Sequence, residues 1–411
     1  MILTARWVVP MDRLPIKDGS VRIDGGRVVR IGPRQDLQGG PIEDLGDVVL
    51  LPGFINAHAH LELSGYAGRL KPSSLWLWLA RLVKLRRGVD PRDERASAAR
   101  AAAESLRAGV TCIADVSRRG DAWTSLADVP IRKVCFAELI SIAADPPRDP
   151  DELAHAVEAV ACDDRLTVGV SPHAPYTVRA DHFTAAVAWA RGCGLPITTH
   201  WAETREECRW VARGGGMLGA LIRGLGGGAA IRSPRCDPIE YAERLGLLSA
   251  GALLAHVNYI TDGGLEQLRR GSASVVYCPR SHRFFGHRHH RWRDMLDAGV
   301  NVCVGTDSAA SLPAGATPSV LDELRFLHRA HADVPAETLV AMATVRPARA
   351  LGLDRELGSL GPGKQADLVA MPLTDRSVND PLADILASDT NPIGVWVAGE
   401  RCVSSTNDGS P

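Results

Sequence analysis

The chain is 411 residues long, with 45% hydrophobic and 23% charged residues, a composition that supplies a large buried core and excludes disorder as the main state. At roughly 150 residues per domain this length suggests two or three units, although a barrel often exceeds that size as one. Forty-seven basic against 48 acidic residues leave a net charge of −1, which gives nothing to draw the protein to nucleic acid or to an anionic membrane.

The N-terminal run MILTARWVVPMDR has no basic region followed by a long apolar stretch, and the apolar segment Leu75 to Val83 is short and carries Arg81. Neither a signal peptide nor a transmembrane helix is expected. Residues 1–50 alternate apolar and polar positions around KDGS and DGGR, which read as hairpin turns. Then come apolar strand candidates in order: VLLPGFINA, TCIADV, KVCFAELI, LTVGVS, PITTHW, ALLAHV, ASVVYC and NVCVGT. Helical stretches separate most of them, such as Asp93 to Ala108, which stops at Gly109.

Eight parallel-type strands with helical crossovers predict an α/β protein built on a (β/α)8 TIM-type barrel. After Gly361 the β-rich texture returns in QADLVAM and IGVWVAGERCV. The termini are therefore expected to form a small β-sandwich domain, residues 1–50 plus 362–411, beside a catalytic barrel of residues 51–361. The stretch GGGMLGALIRGLGGGAA lacks the Lys-Ser/Thr of a phosphate loop and reads as a flexible surface insertion, and the final SSTNDGSP reads as a frayed tail. Of nine cysteines, none form a C-x-x-C pair, and Cys112, Cys135, Cys278 and Cys303 fall in buried-strand runs. Reduced thiols in a cytoplasmic protein are the expectation.

Barrel chemistry sits at the C-terminal ends of the strands. His58 and His60 close the first strand candidate, His173 follows the fourth, His200 and Glu203 mark the fifth, His256 the sixth and Asp307 the eighth. His58 and His60, two apart on an extended backbone, project to the same side. A lone H-x-H is weak evidence, but His200 and Asp307 change the odds: three imidazoles and one carboxylate suit one divalent ion, Zn²⁺ or Fe²⁺. His60-Leu61-Glu62 matches half of the cytidine-type deaminase signature, yet no P-C-x-x-C follows, and H-E-x-x-H is absent. His287, His289 and His290 read as solvated loop histidines. Of Trp76 and Trp78, two apart on a helix, at least one is expected to be plain packing.

The segments LPGFINAHAHLE, SPHAPYT, HWAE, LLAHV, YCPRSH, VGTDS and GSLGPGKQADLVAM, in this order over nearly the whole chain, resemble the amidohydrolase superfamily. Within it they resemble the cytosine deaminase, chlorohydrolase and nucleoside deaminase branch. The resemblance implies a metal-dependent hydrolase of non-peptide C–N bonds that deaminates an amino-substituted N-heterocycle by a metal-activated water. A cyclic-amide hydrolase or chlorohydrolase using the same site is the alternative, and a non-catalytic scaffold a third reading.

Carried over, the resemblance makes His58, His60, His200 and Asp307 the ligands of one metal ion, Zn²⁺ or Fe²⁺. Glu203 becomes the proton shuttle, His256 the group orienting the water, Asp307 a participant in catalysis and His173 a substrate contact. LTVGVS has no lysine to bridge two metals, so the site reads as mononuclear. His282 stands where the branch often has Asn, and Ser308 follows the metal-type Asp307; both are candidate substrate contacts, with Trp78 and Glu62. The HLE form of His60–Glu62 is similar to the aminodeoxyfutalosine deaminases, and Glu62 could serve there as a ribose contact or as a partner of a ligand histidine. A small heterocyclic substrate, no nucleic-acid or membrane partner, and a homodimer complete what the resemblance implies.

Overall fold

The computed structural model describes residues 1–37, 39–118, 123, 126–142, 147–224 and 231–404. Most of the expected tail, and residues 225–230 of the Gly-rich stretch, lie outside the described residues. Eight parallel strands form two four-stranded sheets: β6 (Phe54–Ala59), β7 (Val110–Ser117), β8 (Arg132–Leu139) and β9 (Leu166–Pro172), then β10 (Thr198–Trp201), β11 (Leu253–His256), β12 (Ser274–Tyr277) and β13 (Asn301–Val304). Single parallel bridges, Val170 to Ile197 and Ala59 to Asp307, join the two sheets at both seams.

The near-continuous apolar runs of these strands reflect burial on both faces. One face supplies a cluster that draws Ile55, Cys112, Val134 and Phe136 from the first sheet and Leu253, Val276 and Cys303 from the second, so the sheets share an apolar interior. The other face packs on the crossover helices, with Phe54, Ile113 and Cys135 against Ala98, Ala102 and Leu106. Those alanines belong to the helix Pro91–Arg107, where Asp90 accepts the Arg92 N–H at the start and Gly109 takes φ +90° just past the end.

VLLPGFINA is not one strand. It divides at Gly53 into β5 (Val48–Pro52) and β6, which belong to different sheets. A Cβ at Gly53 would stand 2.2 Å from the Thr111 hydroxyl, so only glycine lets the chain cross this junction. β5 pairs antiparallel with β14 (Leu368–Pro372), and through that pairing both termini enter one sheet. Its order is β16 (Glu400–Ser404), β15 (Gly394–Val397), β14, β5, β1 (Ile2–Val8), β2 (Ile16–Asp24), β3 (Arg27–Pro33), with β4 (Ile42–Asp44) beside β1. Arg132 at the start of β8 ties this sheet to the parallel strands, donating from Nε to Asp367 at 2.8 Å and from Nη2 to Gln365 at 2.9 Å.

Two expectations need correction. DGGR is a hairpin turn, with Gly25 and Gly26 at φ +53° and +75°, but KDGS lies inside β2. There Asp18 takes φ +48°, a conformation Asp tolerates, as a local irregularity opposite Arg6 and not as a chain reversal. Residues 216–224 of the Gly-rich stretch form a helix that buries Leu218 and Ile222 and exposes Met217 and Leu221, because its apolar residues recur at helical spacing. Cys112, Cys135, Cys278 and Cys303 are buried and unpaired as expected. Among the described residues no helix is long and apolar enough to cross a membrane.

Candidate active site

The ends of the parallel strands bring the sequence-selected residues together. Ring nitrogens of His58, His60 and His200 lie within 4.8 Å of one another, and the same holds for ligand atoms of His58, His256 and Asp307. His60 Nε2 is 3.0 Å from His200 Nε2 and 3.9 Å from Asp307 Oδ1. The His173 carbonyl, which can only accept, lies 3.1 Å from His200 Nδ1; Nδ1 therefore carries the proton and Nε2 faces the site as a lone pair. Burial and the neighbouring rings hold His58 and His200 well below the ordinary imidazole range, so both are neutral. Both ring nitrogens of His58 are buried without a hydrogen-bond partner among the described residues.

The backbone that presents these groups is strained. Ala202, His256, Val257 and Asp307 all take positive φ, between +46° and +75°. Non-glycine residues held there cost on the order of 1 kcal/mol or more each, and such strain gathers at functional sites. Asn56 and Gly305 lock the first and last strands together. Asn56 Oδ1 accepts the Thr306 N–H at 3.2 Å, and the His58 carbonyl accepts the N–H groups of Thr306 and Asp307 at 3.0 and 3.1 Å. A Cβ on Gly305 would come within 2.8 Å of His58 Cβ.

Glu203, two residues past β10, is buried and faces His256, with Oε1 3.8 Å from Nε2. Burial, then the nearby Asp307 and Glu207 carboxylates, push Glu203 well above the usual carboxylate range. Burial outweighs Asp307 at His256 and lowers that imidazole to about 4. Glu207 holds the turn, accepting the N–H groups of Ala202 at 2.7 Å and Glu203 at 3.0 Å. Thr204 caps the following helix by accepting the Glu207 N–H at 3.1 Å. The T-x-x-E spacing of Thr204 and Glu207 is a capping box, a sequence signal that could have found Glu207.

Other expected contacts fall in different places. His173 bonds Thr177 through Nδ1 at 2.7 Å and turns Nε2 toward Glu138, 3.9 Å away. Glu138, buried near the end of β8, was not foreseen; an acid closing the apolar run KVCFAEL was its signal. Glu62 pairs with Arg86 at 3.2 Å, and Arg86 is in turn held bidentately by Glu94 at 2.9 Å. His282 is buried with Nε2 unpartnered among the described residues. Trp78, a candidate substrate contact, packs among Leu63, Tyr66 and Leu82 and donates Nε1–H to the Ala310 carbonyl at 3.2 Å. Trp76 instead meets Tyr176 edge-on, and Tyr176 meets His173. Ser308 engages its hydroxyl in capping the turn Ala309–Ser311. His289 is exposed as expected, but His287 and His290 are half-buried, each bonded at the rim: His287 to Tyr259 and His290 to the His256 carbonyl, both at 2.8 Å.

Asp115 supports the exit of the first parallel strand by accepting the Leu61 N–H at 2.8 Å, while its other oxygen is buried and has no hydrogen-bond partner among the described residues. Burial raises this carboxyl to about 7. A folded value above the unfolded one means that its stabilising contribution is complete below about pH 4 and is lost as pH rises through 7. Asp115→Asn keeps an acceptor for Leu61 and removes the charge. Its stability relative to wild type is expected to improve by about 2 kcal/mol between pH 5.5 and pH 8. Urea midpoints at the two pH values check this, and a constant difference contradicts it.

A sequence model described as the amidohydrolase family matches residues 49–402. The chain belongs to the amidohydrolase family. It is therefore a hydrolase of the class that the motifs implied. This amidohydrolase is 28% identical to a 5-methylthioadenosine/S-adenosylhomocysteine deaminase of Teredinibacter turnerae, over 98% of this chain and 92% of the relative. It is also 28% identical to a 5'-deoxyadenosine deaminase of Methanopyrus kandleri, over 95% and 90% of the two chains. A zinc-bound adenosine deaminase from Xanthomonas campestris shares its fold with a TM-score of 0.85 at 24% identity, covering 98% of this chain and 92% of that one. Helicobacter pylori aminofutalosine deaminase, solved with methylthio-coformycin, gives 0.88 at 22%, covering 98% and 100%.

Proposed function

We propose that this amidohydrolase removes the amino group of an adenosine-type nucleoside by hydrolysis, with ammonia as the second product. The observation that carries the reading is the convergence of His58, His60 and His200 beside Asp307, with the buried pair Glu203–His256 across from them. The deaminase names of the relatives support the same chemistry.

The donor set fits one divalent ion. His58, His60 and His200 would hold it with Asp307, and the orphaned ring nitrogens of His58 need such a partner. Zn²⁺ is the proposed ion, with Fe²⁺ the alternative that the same ligands accept. Bound there, the metal would supply Lewis acidity that lowers the pKa of water to about 7.

The chain's own groups carry the rest. Glu203, whose carboxyl is pushed well above the usual carboxylate range by burial, favours the protonated acid and gives its proton to the ring nitrogen beside the amino-bearing carbon. His256, neutral at pH 7, hydrogen-bonds the attacking water without adding charge. Asp307 Oδ1 accepts the water proton and passes it to the amino group, which leaves as ammonia as the C–N bond breaks, while Glu203, having given up its own proton, takes the proton of the new hydroxyl as the carbonyl forms. Glu62 and Glu138, both raised by burial, accept hydrogen bonds from a ribose, while His173 and His282 contact the base and its substituents. Trp76, through Tyr176, borders the same face.

The common apolar interior and the two seam bridges support closure of residues 51–361 into a (β/α)8 barrel, with residues 1–50 and 362–411 forming the β-sandwich domain. Nine free cysteines suit a reducing cytoplasm, and a homodimer is the proposed assembly. Asp307→Asn tests the assignment: turnover is expected to fall at least 10³-fold, on the order of losing a metal ligand and proton acceptor together, with the melting transition of the fold retained. Near-wild-type turnover would refute the role of Asp307. Product analysis separates the alternatives, because a chlorohydrolase releases chloride and a cyclic-amide hydrolase opens a ring without ammonia.

A further inference from the structure

β12 lies between β11 and β13 in its sheet, so the chain leaving β12 passes over the ends of both neighbours, where His256 and Asp307 sit. That chain touches both. Ser281, buried, donates its hydroxyl proton to Asp307 Oδ2 at 2.5 Å. Ser311 reaches the same oxygen at 3.1 Å but shares its single proton with the Ser308 carbonyl at 2.8 Å. Oδ1 is thereby the oxygen left toward His60. On the other side His290 lies against the His256 carbonyl at 2.8 Å, and a carbonyl can only accept, so His290 Nε2 carries the proton. The His290 ring stacks on Tyr277 at 4.0 Å with 23° between the planes.

Both residues so held have left-handed backbones, His256 at φ +75° and Asp307 at φ +57°, which persist only where the surroundings over-determine them. The base of the segment is itself clamped. Arg280 donates from its backbone N–H and from Nε to the buried Glu323 at 2.9 and 2.6 Å, and from Nη2 to the Thr317 carbonyl at 2.7 Å.

We infer that residues 278–290 form a bracket, with Ser281 and His290 as positioning residues: Ser281 selects the oxygen that Asp307 presents, and His290 aims the His256 imidazole. This rests on the roles given above to Asp307 and His256. It assigns work to Ser281, which the sequence did not single out, and to His290, which it suggested as a solvated loop histidine.

The test uses the full chain loaded with zinc for turnover and with cobalt for its visible absorption. His290→Phe keeps the ring against Tyr277 and removes the donor; His290→Gln restores a donor. Ser281→Ala removes the hydroxyl and Ser281→Thr keeps it. His290→Phe and Ser281→Ala are expected to lower kcat about 10- to 100-fold with KM little changed, and Gln and Thr to recover most of the loss. Ser281→Ala alone should alter the cobalt spectrum and speed metal loss to a chelator, because its target is a ligand. Wild-type kcat, spectrum and metal retention in both variants would overturn the bracket, as would a lowered melting temperature with unchanged kcat per metal-loaded molecule. A wild type that binds cobalt but releases no ammonia removes the functional reading, while the Ser281→Ala spectrum still decides the contact to Asp307. A wild type that takes up no metal overturns both.

Discussion

Glu203→Gln is expected to lower kcat by about 10²- to 10⁴-fold while KM and metal content stay close to wild type. Glutamine keeps the shape and the backbone contacts that Glu207 and Asn258 make to residues 202 and 203. What it cannot do is transfer a proton. The carboxyl sits buried, opposite His256 and beside Asp307, an environment that pushes it well above the usual carboxylate range and favours the acid form that the proposed proton transfer needs. Steady-state kinetics with metal analysis on the same preparation checks this. A loss confined to KM would make Glu203 a binding group, and an equal loss of metal would place it in the ligand set.

Removing the metal is the second large effect. A chelator-stripped protein is expected to lose turnover below detection and to regain it when zinc is restored. It should also melt at a lower temperature, because a ligand present at a thousand times its Kd stabilises the folded state by about 4 kcal/mol. The physical reason is the cluster itself. Four imidazoles, His58, His60, His200 and His256, converge, with ring centroids of His58–His60, His58–His200 and His200–His256 4.9, 5.0 and 5.6 Å apart, and both ring nitrogens of His58 lack a hydrogen-bond partner among the described residues. Melting curves with and without zinc, read beside ammonia release, measure both consequences. Identical curves and undiminished turnover after verified metal removal would contradict the proposed centre.

Much of the candidate site is legible in the sequence because strand ends mark it. An apolar run that stops at a histidine or aspartate gave His58, His60, His200, His256 and Asp307 directly, and His200 fixed Glu203 by its offset. The residues that hold those groups were harder to read. Glu207, Ser281 and Asp115 act on backbone amides or on another side chain, and such contacts depend on a turn or a neighbouring strand that periodicity does not specify. Glu138 was hidden inside a strand that reads as plain core. Trp78 and His290 show the limits of pattern alone: an aromatic proposed as a substrate contact packs among Leu63, Tyr66 and Leu82, while a histidine expected in solvent bonds the His256 carbonyl.

The fold shows the same division. The eight parallel strands and the helix ending at Gly109 follow from burial patterns that one chain segment carries by itself. The break at Gly53 does not, because the need for glycine there depends on Thr111 of another strand, whose side chain a Cβ would overlap. KDGS likewise has turn composition, yet pairing of β1 with β2 on both sides of Asp18 carries the strand through it without a chain reversal.

The most direct measurement is ammonia release by zinc-reconstituted protein of verified metal content, offered 5'-substituted adenosines, adenosine and free adenine side by side. Deamination of a hydrolytic kind predicts one ammonia per nucleoside consumed, with the amino-bearing carbon converted to a carbonyl and the nucleosides favoured over the free base. Metal-loaded protein that yields no ammonia from any of them would contradict it.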